Sequence, residues 1–270
     1  MHVSLSQIWV YPIKSLGGFE VNSWKIDKEG LLFDRQWMLV DANYQFITLR
    51  EEHKLVDLVV LAFEPNATSM QVLNKQSGEQ LVVPIEFTTN QFAQVQVWVD
   101  SVSAMVAEEG INSWFSAFLN REVKLVKKVS GTIRQVDLKF AAPGESTGFS
   151  DGFPVLLVGQ SSLDLIRQKS GVNLETVRFR PNLVVDGLPP HEEDKVANFK
   201  FSDFHIQPVK PCARCQVTTL DPFTGEAGVE PLRTLSTYRK RGNKILFGMN
   251  CLVQGNGLIN KGDSAFVSMP

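Results

Sequence analysis

Two cysteines three positions apart, in Pro211-Cys212-Ala213-Arg214-Cys215, are the residues of this chain best suited to chemistry. Such a pair can chelate a metal, cycle through a disulfide or simply pack. A structural zinc site needs four ligands and normally joins two motifs of this kind. There is no second Cys-x-x-Cys, and neither His205 nor Cys251 stands at a diagnostic spacing. A thioredoxin-like pair sits where a strand passes into a helix, whereas Gln216-Val217-Thr218-Thr219-Leu220 reads as a further strand. Two readings stay open: an inert buried thiol, or one thiolate that binds a soft metal. Lys210 and Arg214 beside the cysteines favour the thiolate.

Basic residues set at turns and strand ends form a second group. Tyr11-Pro12-Ile13-Lys14-Ser15-Leu16-Gly17-Gly18 places Lys14 and Ser15 just before two glycines, a composition that lets backbone, charge and hydroxyl approach a phosphate. The order is not that of a P-loop. Arg35 lies in Phe33-Asp34-Arg35-Gln36-Trp37, among apolar neighbours. In Arg178-Phe179-Arg180-Pro181-Asn182, read as part of a strand from 177 to 185, Arg178 and Arg180 share one face. Each arginine alone is explained by an ordinary salt bridge. Lys14, Arg35 and Arg180 together with a thiolate point to an anionic cofactor. Ser150 and Asp151, before the apolar run at 154–158, can bind a polar ligand or form a plain turn. His2, His53, His191 and His205 show no triad or metal spacing, and Gly-x-Ser-x-Gly is absent, so hydrolysis has little support.

The elements that must carry these groups are mostly short strands. The chain has 270 residues, 43 % hydrophobic and 21 % charged, with net charge -2. That composition excludes disorder and a global field for nucleic acid or anionic membrane. No signal segment and no apolar run of membrane length is present, so a soluble cytoplasmic protein is expected. Strands are read at 3–11, 19–26, 55–63, 70–73, 80–83, 92–99 and 123–129, with a hairpin over 37–48. Ile111, Trp114, Phe115, Phe118 and Leu119 make one helical apolar stripe. Gly131 to Gly148 reads as a linker or a pocket-lining loop. Ser161 or Ser162 is expected to cap a helix ending at Lys169, and another helix is expected from Pro231 through Arg239. His191-Glu192-Glu193-Asp194 reads as a solvated acidic turn. Many short strands with few helices indicate a mainly β (α+β) fold of barrel or sandwich type.

Taken together, Tyr-Pro-Ile-Lys-Ser, Asp-Arg-Gln-Trp, Arg-Phe-Arg-Pro-Asn and the block Cys-Ala-Arg-Cys-Gln-Val-Thr-Thr-Leu-Asp-Pro-Phe-Thr-Gly resemble MOSC-domain proteins with an N-terminal MOSC barrel. Among these they are most similar to the amidoxime-reducing component family of molybdenum enzymes. The resemblance runs from Leu5 to Val267. It implies a MOSC β-barrel over 126–270 packed on an N-terminal β-barrel-like domain over 1–125, with a few peripheral helices and a shared pocket. It implies a molybdenum cofactor, with Cys215 as the protein's metal ligand and Cys212 a neighbour. Lys14, Ser15, Arg35, Ser150, Arg178, Arg180 and Asn182 would hold pterin and phosphate, and Asp151 would lie near the metal. The implied reaction reduces an N-hydroxylated substrate (amidoxime, hydroxamic acid or hydroxylamino base) and releases water. No Cys-x4-Cys-x2-Cys iron–sulfur spacing occurs in the chain, so electrons are expected from a separate ferredoxin, flavin reductase or cytochrome b5-like protein. Two other activities stay in view: sulfur transfer through a persulfide on Cys215, and a carrier that holds molybdopterin for delivery.

Overall fold

A computed structural model describes residues 2–269. Seven strands close into a barrel in the order Val155–Gly159, Leu183–Asp186, His2–Val10, Ser264–Ser268, Asn198–Lys200, Phe204–Arg214 and Lys244–Gly255, the last pairing back onto the first. Val155–Gly159 and Leu183–Asp186 run parallel. Their crossover carries the helix Gln160–Ser170, as a parallel pair requires. A four-stranded sheet, Trp37–Asp41, Val123–Lys128, Asp100–Val106 and Phe92–Val97, stands beside the barrel. Its edge strand Trp37–Asp41 is apolar on both faces. Trp37 and Leu39 enter the main core, while Met38 and Val40 enter a second core with Val95, Val102 and Phe149. Phe19–Val21 and Lys240–Arg241 pair onto the barrel strands, and two three-stranded sheets are also present among the described residues.

The apolar stripe lies on the helix Glu109–Leu119 as expected. Ile111, Phe115 and Leu119 are buried, each contributing about 1.5–3 kcal/mol by leaving water. Asn112 fixes the helix by donating to the Ala107 carbonyl and accepting from the Leu125 amide. Asn120 ends it in the left-handed conformation, which Asn tolerates. No described helix is long and apolar enough to cross a membrane.

The strand Val123–Lys128 spans positions 125 and 126 and pairs with Trp37–Asp41 through Lys127, and the first strand of the chain belongs to the same barrel as the C-terminal strands. Several sequence expectations are corrected. Residues 177–185 are not one strand: Arg178 ends a 3-10 turn at Thr176–Arg178, and the strand begins at Leu183. Pro181 has no N–H for a ladder there, and Arg180 takes φ +51°. The shared strand face of Arg178 and Arg180 is therefore absent. Gln216–Thr219 is a 3-10 turn rather than a strand. The Thr218 and Thr219 hydroxyls donate to the Cys215 and Gln216 carbonyls, and such local bonds compete with a ladder. The strand argument against a thioredoxin-like pair is thus removed. The strand read over 92–99 ends at Val97: Trp98 turns the chain at φ +56° and leaves Val99 92 % exposed.

The acidic run at 192–194 is not simply solvated. Glu193 is fully buried, accepting from the Gly159 amide and the Ser162 hydroxyl. Ser162 is thereby used away from the helix end, and Gly159, not a serine, occupies the cap position. The helix expected through Arg239 is limited to Leu232–Ser236.

Candidate functional site

All nine residues singled out from the sequence line one cleft: Lys14, Ser15, Arg35, Ser150, Asp151, Arg178, Arg180, Asn182 and Cys215. The cleft forms where the chain leaves its first strand, where the Ser150-Asp151 loop approaches, and where the cysteine strand ends. Arg50, Trp98 and Arg214 complete its wall.

Lys14 follows the first strand, and its amide donates to the Trp37 carbonyl. Ser15 turns the corner at φ +72°, with its hydroxyl accepting from the Leu49 amide at 3.3 Å. The Lys14 side chain is buried, and its Nζ lies 2.7 Å from the Asp151 carboxylate. Burial pushes the ammonium's pKa down and Asp151 pulls it back up, leaving it below the ordinary lysine value. The Asp151 side chain is 68 % exposed and lines the cleft. That surrounding works against its charged form. Lys14, then Arg50 and Arg35, outweigh it and hold the carboxyl well below the usual carboxylate range. Arg50 approaches the second carboxylate oxygen at 3.6 Å while its guanidinium lies 4.3 Å from the centre of the Trp98 ring.

Arg134 positions the loop that carries Asp151. It is buried, pairs with Asp100 at 2.9 Å, and donates to the Gly148 and Ser150 carbonyls at 2.8 and 2.6 Å. Gly131 to Gly148 is thus a folded, site-supporting loop rather than a linker. The Ser150 hydroxyl pairs with Thr147 and accepts from the Gly152 amide.

The buried Tyr11 ring is held between two guanidinium groups that line the cleft. Arg35 and Arg180 each lie 4.4 Å from its ring centre, an arrangement of cation–π type. Arg35 pairs with Asp34 and donates to the Arg180 carbonyl. Arg180 donates to the Leu16 carbonyl at 2.7 Å. Burial and the like charge of Arg35 push the Arg180 pKa down to about 10, against the pull of Tyr11, Asp34 and Asp151. A bound anion would relieve that repulsion.

Cys215 ends the cysteine strand, free and half-buried, where the cleft meets the 3-10 turn. Arg214 fastens this strand end to two neighbours, donating to the Phe247 carbonyl at 2.8 Å and the Phe179 carbonyl at 2.9 Å. Its remaining terminal nitrogen is buried with no hydrogen-bond partner. Cys212 also lines the cleft, and burial pushes its thiol pKa up.

The nine residues are not equally available. Arg178 is committed to Glu175, the Leu220 carbonyl and Asp221. The Asn182 amide accepts from the Leu156 amide and donates to the Trp9 carbonyl, joining two barrel strands. These two shape the wall with most of their polar atoms turned into the fold. Across the lining, six cationic side chains face one carboxylate. With Arg178 and Arg35 paired outside the cleft and Lys14 paired to Asp151, positive charge remains on Arg50, Arg180 and Arg214. No group of three His, Cys, Asp or Glu side chains able to hold a metal occurs among the described residues.

Two family models match the chain: the MOSC N-terminal beta barrel domain over residues 2–122 and the MOSC domain over 144–265. The chain therefore belongs to the MOSC-domain proteins that carry an N-terminal MOSC barrel. It is 30 % identical over 264 residues to a molybdenum cofactor sulfurase of Homo sapiens, a match covering 91 % of this chain and 29 % of that protein. It thus spans under a third of that sulfurase's length. It is 27 % identical to the mitochondrial amidoxime-reducing component 1 of Homo sapiens, covering 98 % of this chain and 82 % of that one. The mitochondrial amidoxime reducing component 2 of Rattus norvegicus is 28 % identical, with 97 % and 82 % covered. A crystal structure of the YUAD protein from Bacillus subtilis covers 100 % of this chain and 97 % of its own at a TM-score of 0.44 and 11 % identity, too distant to bear on the site.

Proposed function

We propose that the protein is a molybdenum-cofactor-dependent reductase of N-hydroxylated compounds, working in the cytoplasm with electrons from a separate redox protein. The observation that carries this reading is a free thiol at the end of a cation-rich cleft whose half-buried Arg214 keeps one terminal nitrogen without a partner. One thiol without three-ligand support suits only a metal that brings its own ligands, and the surplus guanidinium groups suit a phosphate. The residues present fit a molybdopterin on both counts. The relatives named amidoxime-reducing components are matched over most of their length, which favours reduction over sulfur transfer.

In this reading Cys215 is the protein's ligand to the metal, and Arg180 and Arg214 hold the cofactor's anionic end, with Arg35 fixed behind Arg180 by its pair with Asp34 and its bond to the Arg180 carbonyl. When bound, the cofactor supplies the two-electron chemistry that breaks the N–O bond. The chain's own groups orient the substrate and handle protons. Asp151, kept ionised by Lys14 and Arg50, accepts a hydrogen bond from a substrate N–H or O–H at the cleft mouth. Lys14, whose charged form is disfavoured by burial, is placed to give a proton to the departing oxygen. Ser15 and the Trp98 ring line the cleft beside them.

The test supplies reduced viologen and benzamidoxime to protein purified from a host that makes molybdopterin. Formation of benzamidine, lost in Asp151→Asn and in Cys215→Ser, supports the proposal. Absence of product with any reductant overturns it. The sulfurase relatives motivate a second reading, sulfane sulfur carried on Cys215, which sulfur analysis of the purified protein would detect without molybdenum.

A further inference from the structure

A second cavity of about 390 Å³ adjoins the cleft, within the size range of small-molecule sites. The two share Ser15, Leu49, Arg178, Arg180 and Val217. Its own wall is apolar, built from Trp9, Val56, Val59, Leu220 and Phe223. The polar side chains around it are largely engaged inside the protein. Arg178 holds Glu175 and Asp221, Thr176 accepts from Arg167, and Lys75 donates to the Pro222 carbonyl at 2.8 Å. The exceptions are the Tyr11 hydroxyl, buried without a hydrogen-bond partner, and the Arg180 guanidinium that the chamber shares with the cleft, so the rest of the wall offers few donors or acceptors to a heterocycle.

The Lys75 bond ties the Pro222-Phe223 turn to the N-terminal half of the chain. Asp221 shapes that turn by accepting from the Phe223 and Thr224 amides. Phe223 forms part of the chamber's lining yet remains 62 % exposed. Val217 lies two residues past Cys215 and belongs to both cavities, so a body resting on it can reach the chamber while its polar end stays beside the thiol.

We propose that this chamber binds the apolar body of the substrate, so that the protein selects N-hydroxylated compounds bearing an extended aliphatic or flat hydrocarbon group over small polar ones. The inference rests on the reductase reading for the polar end of the ligand. Trp9, Val59 and Phe223 then act as specificity-determining residues, contributing through burial of hydrocarbon and not through the reaction.

Calorimetric titration with the aliphatic amidoximes from acetamidoxime to octanamidoxime tests this, with oxidised protein and no electron donor, so that nothing turns over. Both cofactor-loaded and cofactor-free protein are titrated. The expected result is an affinity that rises about fourfold per methylene until the chamber fills. Val59→Phe, which fills the chamber, should end the rise at a shorter chain. Phe223→Ala, at an exposed rim position, should weaken the long chains several-fold and leave acetamidoxime unchanged, and it decides the matter if Val59→Phe does not fold. A flat series, or a rise that Phe223→Ala leaves intact, overturns the proposal. So does a rise seen in cofactor-free protein that disappears on loading, since the cofactor itself would then fill the space. A rise retained by loaded protein that reduces none of the series would leave the chamber standing and remove the reductase reading.

Discussion

Lowering the pH from 7 to 4.5 should destabilise the protein through one ring, His191. The imidazole packs against Tyr238 and Phe247 with centroids 5.6 and 5.9 Å away, and both of its nitrogens are buried without a partner. Burial first, then the charge of Arg239, push its pKa down to about 4, with Asp194 acting the other way. The folded value lies below the ordinary 6.5, so between about pH 6.5 and 4 the unfolded chain binds the extra proton. Stability is complete above 6.5 and is lost as the pH falls through that window. The full displacement from 6.5 to about 4 corresponds to at most about 3 kcal/mol, and partial solvent access reduces it to about 2. For a chain of this size that is a shift of ~4–8 °C in Tm. The assay is urea unfolding at pH 7 and pH 4.5 for the wild type and His191→Asn, since Asn tolerates the φ of +64° at this position. The variant loses packing at both pH values, but its difference between them should shrink by about 2 kcal/mol. Glu193, its pKa raised by burial, acts in the opposite sense and is common to both proteins. An unchanged pH difference in His191→Asn would refute the reasoning.

Further expectations concern the cleft walls. Arg134→Met leaves the Gly148 and Ser150 carbonyls without their donor, and should lower stability by ~2–4 kcal/mol in denaturant unfolding while loosening Asp151. Gly248→Ala should cost about 2 kcal/mol or more in the same assay. The residue sits at φ +74°, and a Cβ would lie 2.7 Å from a Val158 methyl and 2.8 Å from the Leu157 carbonyl. Arg214→Lys keeps the charge but loses the fork that spans the Phe179 and Phe247 carbonyls, so pterin recovered per protein should fall while the fold survives by circular dichroism. Cys215→Ser, at a half-buried position, should change stability by less than about 1 kcal/mol.

The clustering of the site was legible because its residue types are costly where they stand. Lys14, Arg35 and Arg180 lie in apolar surroundings that ask for a compensating anion, and each lines the cleft. Their individual roles were less legible. Arg178 and Asn182 satisfy partners in the fold that are distant in sequence, Asp221 and Trp9 among them. Arg50, Trp98 and Arg134 carry no local sequence signal, since only the tertiary fold brings residues 50, 98 and 134 to Asp151 and its loop. In the sequence Arg214 is only a charge that favours a thiolate, and its flanking cysteines carry no sign that it clamps the strand end. Strand alternation misled at Gln216–Thr219 and at 177–180, where hydroxyl-to-backbone bonds and Pro181 outweighed it. Glu193 shows the same limit: an acidic run carries no signal that one carboxylate will be buried against Ser162 and a backbone amide.

The most direct test of the account is the molybdenum and pterin content of protein purified from a molybdopterin-producing host, measured beside Cys215→Ser. The account predicts near-stoichiometric molybdenum in the wild type and loss of the metal, or an altered metal spectrum, in the folded variant. Neither molybdenum nor pterin in the wild type would contradict it.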